Sequence, residues 1–239
     1  MRLFEVIFCI ISIVNAQTDS LYNTIESEAA LDGRKYGSYY FYSYTIESED
    51  NIMETKDAIF NRRSCRAYTD QKVSREVLEK LLYAAFSAPT AANGQPWDFV
   101  VIDDGDVLDK LRKKLFFANY NAPAAIVVCG NSDWGLKGQD KDSWICDCSA
   151  AMENMLISAT DMGLGSLWCG IFPIESRMQQ VRDILNMPDN VNPLGMMYIG
   201  YPQAKSEGRS RYNEKVVYWQ RYDPNRKHKT KDKPVVGHY

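Results

Sequence analysis

The sequence predicts a mixed α and β fold in one domain, and three observations indicate this class. The 239 residues are 45% hydrophobic and 12% aromatic, which is enough to bury a full core. Short apolar segments rich in β-branched and aromatic residues alternate along the chain with segments of helical periodicity. No internal repeat interrupts this alternation. A chain of this kind packs its helices against a sheet.

The region between residues 52 and 97 is predicted to contain two helices. A short helix through Ala58-Ile59 leads into Asn61. The next helix begins after Ser74, a good N-cap residue, and carries Glu76 in its first turn. It ends at Ala88-Pro89, because proline disfavours helical geometry in the residue before it. Apolar side chains at helical spacing form its buried stripe: Val77, Leu78, Leu81, Leu82 and Ala85.

From residue 97 onward, four predicted strands alternate with three predicted helices. The strands are marked by aromatic and β-branched residues and cover 97–103, 124–129, 166–172 and 194–201. The helices cover 107–117, 144–163 and 174–185. The segment 130–143 is polar and contains glycine, so it is predicted to form a loop. The longest helix is expected to stop at Gly163, as a glycine at the C′ position dictates.

The N-terminus has the features of a secretory signal peptide over residues 1–16. Arg2 precedes an apolar segment at 3–14, and Val14-Asn15-Ala16 offers small residues for cleavage. The apolar segment is shorter than the roughly 20 residues of a membrane-spanning helix, so no stable membrane insertion is expected. The alternative is a true start at Met53. The first interpretation predicts a secretory or extracytoplasmic protein, and the second predicts a cytoplasmic one.

Charge is unevenly distributed along the chain. Residues 17–55 carry eight acidic and two basic side chains, whereas residues 223–239 carry five basic and two acidic ones. We interpret an acidic, tyrosine-rich segment at 17–54 and a basic tail at 223–239 as solvated flanks of a domain at 55–222. The formal net charge of −3 and the pI near 5.5 give no reason to expect a nucleic-acid partner.

Several common site signatures are missing from the sequence. It has no GxGxxG after a strand, no Walker loop, no HExxH and no pair of CxxC motifs. Dinucleotide-binding domains, P-loops and zinc sites of these types are therefore not expected. Cys129 and Cys169 lie in apolar, strand-like segments and are predicted to be buried thiols.

Two basic clusters suit the binding of a phosphate. The first is Arg62-Arg63-Ser64-Cys65-Arg66, at the exit from the short helix. The second is Arg209-Ser210-Arg211, near the end of the domain. A guanidinium binds phosphate in a bidentate manner that lysine cannot reproduce. Taken singly, each cluster is also compatible with an ordinary solvated surface.

A loop of small residues between the second helix and the first strand carries two amides. It runs from Ala88 to Trp97 and contains Asn93 and Gln95. Such a loop can lay a flat polar ring against the backbone and offer it amide hydrogen bonds. Trp97 itself is predicted to pack in the core.

The first basic cluster and the loop at 88–97, in this order and at this spacing, resemble two motifs of the flavin-dependent nitroreductase family. In that family both motifs line bound FMN. The resemblance extends to the segment 163–170 and to the second basic cluster, and it covers roughly residues 55–222. It implies an α+β, nitroreductase-like fold. In that fold a central, mostly antiparallel sheet is flanked by helices, and two chains form an intertwined homodimer.

The resemblance also implies which residues bind FMN. The phosphate and ribityl contacts are Arg62, Ser64 and Arg66, with Arg63 beside them, together with Arg209 and Arg211. The ring contacts are Gln95 and, usually from the partner subunit, Pro89, Thr90, Ala91 and Asn93. Cys169 and Gly170 belong to a later ring-contacting segment, whose backbone amides would stabilise negative charge. Residues that look family-like but are assigned to packing and capping are Trp144, Asp147, Glu153 and Asn154.

The implied activity is that of an FMN-dependent oxidoreductase. It would take hydride from NAD(P)H and reduce nitroaromatic, quinone or similar small-molecule acceptors in a ping-pong cycle. Because the chemistry belongs to the cofactor, no side chain is assigned as a general acid or base. The alternative is a non-enzymatic or flavin-modifying FMN-binding protein of the same fold. Residues 117–123 are too few for the long lid of the related iodotyrosine deiodinases, so iodotyrosine recognition is not expected.

Overall fold

A four-stranded sheet forms the centre of the computed structural model, which describes residues 53–204, 208 and 210–226. The strands are β1 (Trp97–Ile102), β2 (Ala124–Asn131), β3 (Gly165–Gly170) and β4 (Val191–Gly200). Their order across the sheet is β1-β2-β4-β3, and every neighbouring pair is antiparallel. The predicted fold class and the antiparallel sheet are confirmed. The predicted signal peptide at 1–16 lies outside the described residues. So does the predicted acidic segment at 17–54, except for residues 53 and 54.

The helices in the described part of the chain alternate with these strands as predicted. They are α1 (Thr55–Asn61), α2 (Arg75–Phe86), α3 (Gly105–Lys114), α4 (Ser143–Asp161) and α5 (Glu175–Leu185). Ser74 caps α2, since its side chain accepts a hydrogen bond from the amide of Val77. Gly163 follows the end of α4 with φ of +71°, the left-handed geometry expected of a C′ glycine.

The boundaries differ from the predictions by a few residues. The helix α3 ends at Lys114, three residues early, because Leu115 leaves helical geometry and turns its side chain into the core. The strand β2 continues to Asn131 because its pairing with β4 continues to Val191, past a bulge between Val128 and Cys129. Polar residues thus take part in a strand that apolar composition alone would end at Cys129.

Two apolar cores lie on opposite faces of the sheet. One core joins α3 and α5 to the sheet through residues such as Leu111, Val181 and Met196. The other joins α2 and α4 to it through residues such as Leu81 and Met155. Trp97 belongs to the second core and is 6% exposed, which confirms its predicted packing role. The sheet is therefore covered by helices on both faces.

Two glycines allow tryptophan rings to lie directly on the sheet. A Cβ atom at Gly130 would lie 2.1 Å from Cε3 of Trp144, and one at Gly195 would lie 2.3 Å from Nε1 of Trp168. No side chain fits in either place without moving the ring. Across the described residues, no helix is long and apolar enough to cross a membrane, and no group of acidic, histidine or cysteine side chains is arranged to hold a metal ion.

Candidate functional site

The first arginine cluster lies where α1 gives way to an extended segment beside β3. Arg62 takes extended geometry with ψ of 123°, and its Nε lies 3.5 Å from a carboxylate oxygen of Glu153 on α4. Ser64 then forms a parallel bridge with Ser166, and the amide of Cys65 donates to the carbonyl of Ser166 at 2.8 Å. The cluster is thus attached to the body of the fold at both of its ends.

Tyr68 holds the far end of this segment in place. Its ring is fully buried, and its hydroxyl donates to the carbonyl of Cys65 at 2.8 Å. Its backbone forms two hydrogen bonds with the side chain of Asn121, one donated and one accepted, at 3.1 and 2.7 Å. Burial raises the pKa of Tyr68 well above its ordinary value, so the hydroxyl remains a neutral donor.

With this backbone fixed, the polar side chains of the cluster face outward. Ser64 and Arg66 are exposed, and Arg62 and Arg63 are partly exposed. Arg66 makes a single long contact of 3.5 Å, to the carbonyl of Ser64. The donors of these side chains therefore remain available to an anion.

Gly208, the residue directly before the second basic cluster, lies close to the same place. A Cβ atom at Gly208 would lie 2.2 Å from the carbonyl oxygen of Phe60 and 2.8 Å from the side-chain oxygen of Asn61. Gly208 therefore packs against the end of α1, directly before Arg62. Arg211 is exposed and lies three residues further on, a span of at most about 10 Å. The predicted contact residue Arg209 is not among the described residues.

The loop between α2 and β1 has an unusual backbone. Ala92, Asn93 and Gln95 have φ values of 50°, 55° and 47°, which place three non-glycine residues in the left-handed region. Each such residue costs about 1–3 kcal/mol and persists only where the surroundings impose it. The amide of Gln95 donates to Oγ1 of Thr90 at 3.2 Å, which closes the loop on itself. Pro89, Asn93 and Gln95 are exposed, and Thr90 and Ala91 are partly exposed.

Asp147 on α4 is the group that anchors this loop. It is only 6% exposed, and its Oδ1 accepts a hydrogen bond of 2.9 Å from the amide of Ala91. Its predicted role was packing and capping. It caps the short turn at Ala91–Asn93 rather than its own helix, whose N-cap is Asp142. An acidic residue inside the apolar stripe of α4 was the signal of this role.

The other family-like residues on α4 hold neighbouring elements. Glu153 forms the ion pair with Arg62, and the Asn154 side chain donates to the carbonyl of Ala84 on α2 at 3.0 Å. Trp144 packs edge-on against Phe172, with ring centroids 5.1 Å apart. The helix α4 thus contacts the loop at 89–95 through Asp147 and the arginine cluster through Glu153. These two residues are six positions apart and therefore about 9 Å apart along the helix axis.

The end of β3 presents an open backbone surface at Gly170. This residue is exposed, and an added Cβ atom would meet nothing within 4 Å. Its carbonyl accepts a hydrogen bond of 3.2 Å from Nη1 of Arg177, a residue that the sequence analysis missed. The preceding Cys169 is 6% exposed, and burial raises the pKa of its thiol to about 12. Cys169 is therefore a protonated, buried thiol, as predicted, and so is Cys129.

The sequence of this chain is similar to those of nitroreductases and FMN reductases. The sequence profile of the Nitroreductase family matches residues 59–119 and 114–201. A protein of Archaeoglobus fulgidus, provisionally named NADH dehydrogenase/NAD(P)H nitroreductase, is 41% identical over 177 residues, which are 72% of this chain and 95% of the relative. An FMN reductase [NAD(P)H] of Bacillus subtilis is 25% identical over 69% of this chain and 72% of its own length.

Solved structures agree with these sequence matches. The FMN-dependent nitroreductase of Clostridium difficile R20291 superposes with a TM-score of 0.63 and is 28% identical. The match covers 70% of this chain and 99% of that one. The family profile ends at residue 201, so the described residues after Tyr201 lie outside it.

Proposed function

Because the chain belongs to the nitroreductase family, we propose that it is an FMN-dependent NAD(P)H oxidoreductase that reduces nitroaromatic, quinone or similar acceptors. The observation that carries this proposal is that the chain returns to the end of α1 directly before the second basic cluster. Gly208 packs against Phe60 and Asn61, directly before the arginine cluster. Residues more than one hundred positions apart in the chain, such as Arg62 and Arg211, would thus contribute cationic side chains to one surface.

The chemistry of this surface fits the phosphate of FMN. Arg62, Arg66 and Arg211 would supply guanidinium donors, with Arg63 and the undescribed Arg209 beside them. Ser64 would add a hydroxyl donor, and it is exposed at the bridge with Ser166. Charge-assisted hydrogen bonds of this kind are about twice as strong as neutral ones. Among the described members of the clusters, Arg62 is the one that forms an ion pair, with Glu153, and a phosphate would have to compete with that carboxylate.

The loop at 89–95 and the end of β3 fit the flat ring. The side chains of Asn93 and Gln95 are exposed, and Nε2 of Gln95 donates to Oδ1 of Asn93 at 3.2 Å, so the remaining amide groups of this pair could reach the ring. At Gly170 the empty space above the Cα atom would let a ring approach the backbone closely. Pro89, Thr90, Ala91, Cys169 and Gly170 would contribute mainly backbone contacts.

Bound FMN would supply the two-electron chemistry that no side chain can provide, accepting hydride from NAD(P)H and passing electrons to the acceptor. The role of the protein is to bind, orient and stabilise charge. Backbone amides near Gly170 would stabilise negative charge at the ring, an effect of the oxyanion-hole type. Cys169 takes no part as a nucleophile, because burial keeps its thiol protonated.

We further propose that the active form is a homodimer in which the partner's loop at 89–95 completes each site. Exposed aromatic side chains near this loop support the proposal. Phe86 is 57% exposed, and its ring packs edge-on against Phe99 at 5.3 Å and Trp97 at 6.2 Å. An aromatic cluster that continues from the core to the surface is typical of a face that another chain covers.

The visible spectrum of the purified protein, followed anaerobically during addition of NADH or NADPH, tests the proposed activity. We expect yellow absorbance that bleaches with the nucleotide and returns when a nitroaromatic or a quinone is added. A flavin that stays oxidised would instead indicate a non-enzymatic or flavin-modifying protein. Absence of flavin binding after reconstitution would contradict the proposed site as a whole.

A further inference from the structure

We propose that Arg177 and Phe116 form a subsite that selects planar aromatic acceptors carrying an anionic substituent, such as a carboxylate. The proposal rests on the proposed function, because it names the class of acceptor that would be reduced beside Gly170. It concerns side chains outside the two sequence motifs and outside the proposed FMN contacts.

Arg177 connects the open end of β3 to a pair of aromatic rings. Its Nη1 donates to the carbonyl of Gly170 at 3.2 Å. Its guanidinium carbon lies 3.8 Å from the centre of the Phe117 ring, a cation–π contact. The Phe117 ring in turn meets the Phe116 ring edge-on, with centroids 6.2 Å apart. A continuous surface therefore leads from Gly170 through the guanidinium to Phe116.

The charge of Arg177 is not neutralised by the described part of the chain. The ion pairs found there involve other cations, and the nearby Glu175 pairs with Arg182 instead. The Arg177 side chain donates one hydrogen bond to the described residues, whereas a guanidinium has five N–H donors. It is only partly exposed, so its attraction for an anion is screened less than that of a fully solvated arginine.

The aromatic and aliphatic residues around Arg177 are more exposed than packing alone would require. Phe116 is 78% exposed, although it belongs to a short turn that buries its neighbour Ala118 completely. Ile174, one helical turn from Arg177, is 42% exposed. An exposed ring, an exposed aliphatic side chain and an unpaired cation together match a flat apolar ligand with a negative edge.

A purely structural role for Arg177 explains only part of this arrangement. The cation–π contact and the hydrogen bond to Gly170 would hold the turn at 116–118 against the end of β3. They give no reason for Phe116 to face solvent or for the remaining guanidinium donors to stay unpaired. Recognition of an anionic aromatic acceptor accounts for both observations.

The test compares two acceptors that differ in charge but hardly in shape: 4-nitrobenzoate and 4-nitrobenzamide. The quantity measured is kcat/KM for 4-nitrobenzoate divided by kcat/KM for 4-nitrobenzamide, with NADH as donor and the full flavin-loaded chain as enzyme. We expect Arg177→Gln, which keeps an amide donor for Gly170, to lower this ratio by roughly tenfold or more. Phe116→Ala should lower kcat/KM for both acceptors by roughly three- to tenfold and leave their ratio unchanged. Arg75→Gln removes an exposed arginine elsewhere and is the charge control.

An unchanged ratio in Arg177→Gln, or an equal fall in Arg75→Gln, would overturn the proposal. So would a loss confined to the kcat/KM for NADH, because Arg177 would then bind the donor. Calorimetric titration of the oxidised protein with 4-nitrobenzoate provides a readout that needs no turnover. If NADH fails to reduce the protein, the proposed function fails. Weaker 4-nitrobenzoate binding in Arg177→Gln than in the wild type would then still support the subsite, and equal or undetectable binding in both would refute it.

Discussion

At the scale of single residues, the candidate site depends on a few buried groups that hold exposed ones in place. Tyr68 and Asn121 fix the arginine cluster, and Asp147 fixes the loop at 89–95. None of these three carries the charge or the amide that would contact a ligand. Substitutions among the anchors and among the contacts should therefore have distinguishable effects.

Replacement of Arg62 by alanine tests a direct contact. We expect the dissociation constant for FMN to rise by roughly 10- to 100-fold, as for the loss of a charge-assisted hydrogen bond. Arg75→Ala is the matched control, because Arg75 is an exposed arginine paired with Glu79 on α2. Fluorescence titration of the apoprotein with FMN measures both constants. Equal constants in the two variants would remove Arg62 from the site.

Replacement of Asp147 by alanine tests an anchor. The Ala91 amide would lose its buried acceptor, at a cost of about 1–3 kcal/mol, and the strained loop would relax. We expect weaker FMN binding together with a lower free energy of unfolding. Asp147→Asn keeps a carbonyl oxygen at this position and should retain most of both properties. Denaturant titration measures the free energy of unfolding of the two variants, and FMN titration measures their affinity for FMN. Equal values of both quantities in Asp147→Ala and Asp147→Asn would contradict the anchoring role.

At the scale of the elements, periodicity and composition predicted every α-helix and β-strand of the described domain, but not its short 3-10 helices. Ser74, Gly163 and the apolar stripes were sufficient because their effects are local. The boundaries of α3 and β2 were missed, since they depend on a core contact of Leu115 and on pairing with β4. The roles of Asp147 and Arg177 were missed for the same reason: each contacts residues far away in the chain, and no local pattern records such contacts.

Two glycines of paired strands provide a test at this scale. An alanine Cβ at Gly195 would collide with the Trp168 ring, whereas one at Gly170 would enter open space. We expect Gly195→Ala to lower the free energy of unfolding by about 1–3 kcal/mol. Gly170→Ala should change it by less than about 1 kcal/mol and weaken FMN binding, because the methyl group would lie on the proposed ring side. Gly170→Ala with unchanged FMN binding would remove Gly170 from the ring contacts.

At the scale of the whole molecule, the motifs group distant residues into one proposed site but do not say how the chain brings them together. The arginine cluster and the second basic cluster were grouped by resemblance, and the packing of Gly208 against Phe60 gives that grouping a physical basis. Completion of each site by a second chain remains a prediction. The sequence contains no local pattern that would specify the orientation of two copies.

Alkaline pH should destabilise the fold through its buried thiols. Burial raises the pKa of Cys148 and Cys169 from 9.0 to about 12, and that of Cys129 also rises. Above pH 9 the unfolded chain therefore releases protons that the folded chain keeps, and the free energy of unfolding falls as the pH rises towards 12. Denaturant titrations at pH 8 and pH 10 measure this difference. Cys169→Ser should make the fall in the free energy of unfolding between pH 8 and pH 10 smaller. A fall of unchanged size would contradict the role of the Cys169 thiol in this pH dependence.

A chain that begins at Ile52 tests the proposed domain boundary. The described elements start with α1 at Thr55, and their cores are built from residues after that point. We expect the shortened chain to fold cooperatively and to bind FMN with the affinity of the full chain. Failure to fold, with the full chain folding under the same conditions, would show that the preceding segment belongs to the domain.

The docking of the arginine segment onto β3 also sets the order of events during synthesis. Cys65 and Tyr68 emerge from the ribosome early, but their partners Ser166 and Pro202 follow more than one hundred residues later. Until those partners are available, the arginines have no fixed backbone from which to bind an anion. The proposed capture of FMN would therefore be a late step that follows release of nearly the whole domain, and a nascent chain arrested before β4 would have no affinity for FMN to protect it from proteolysis.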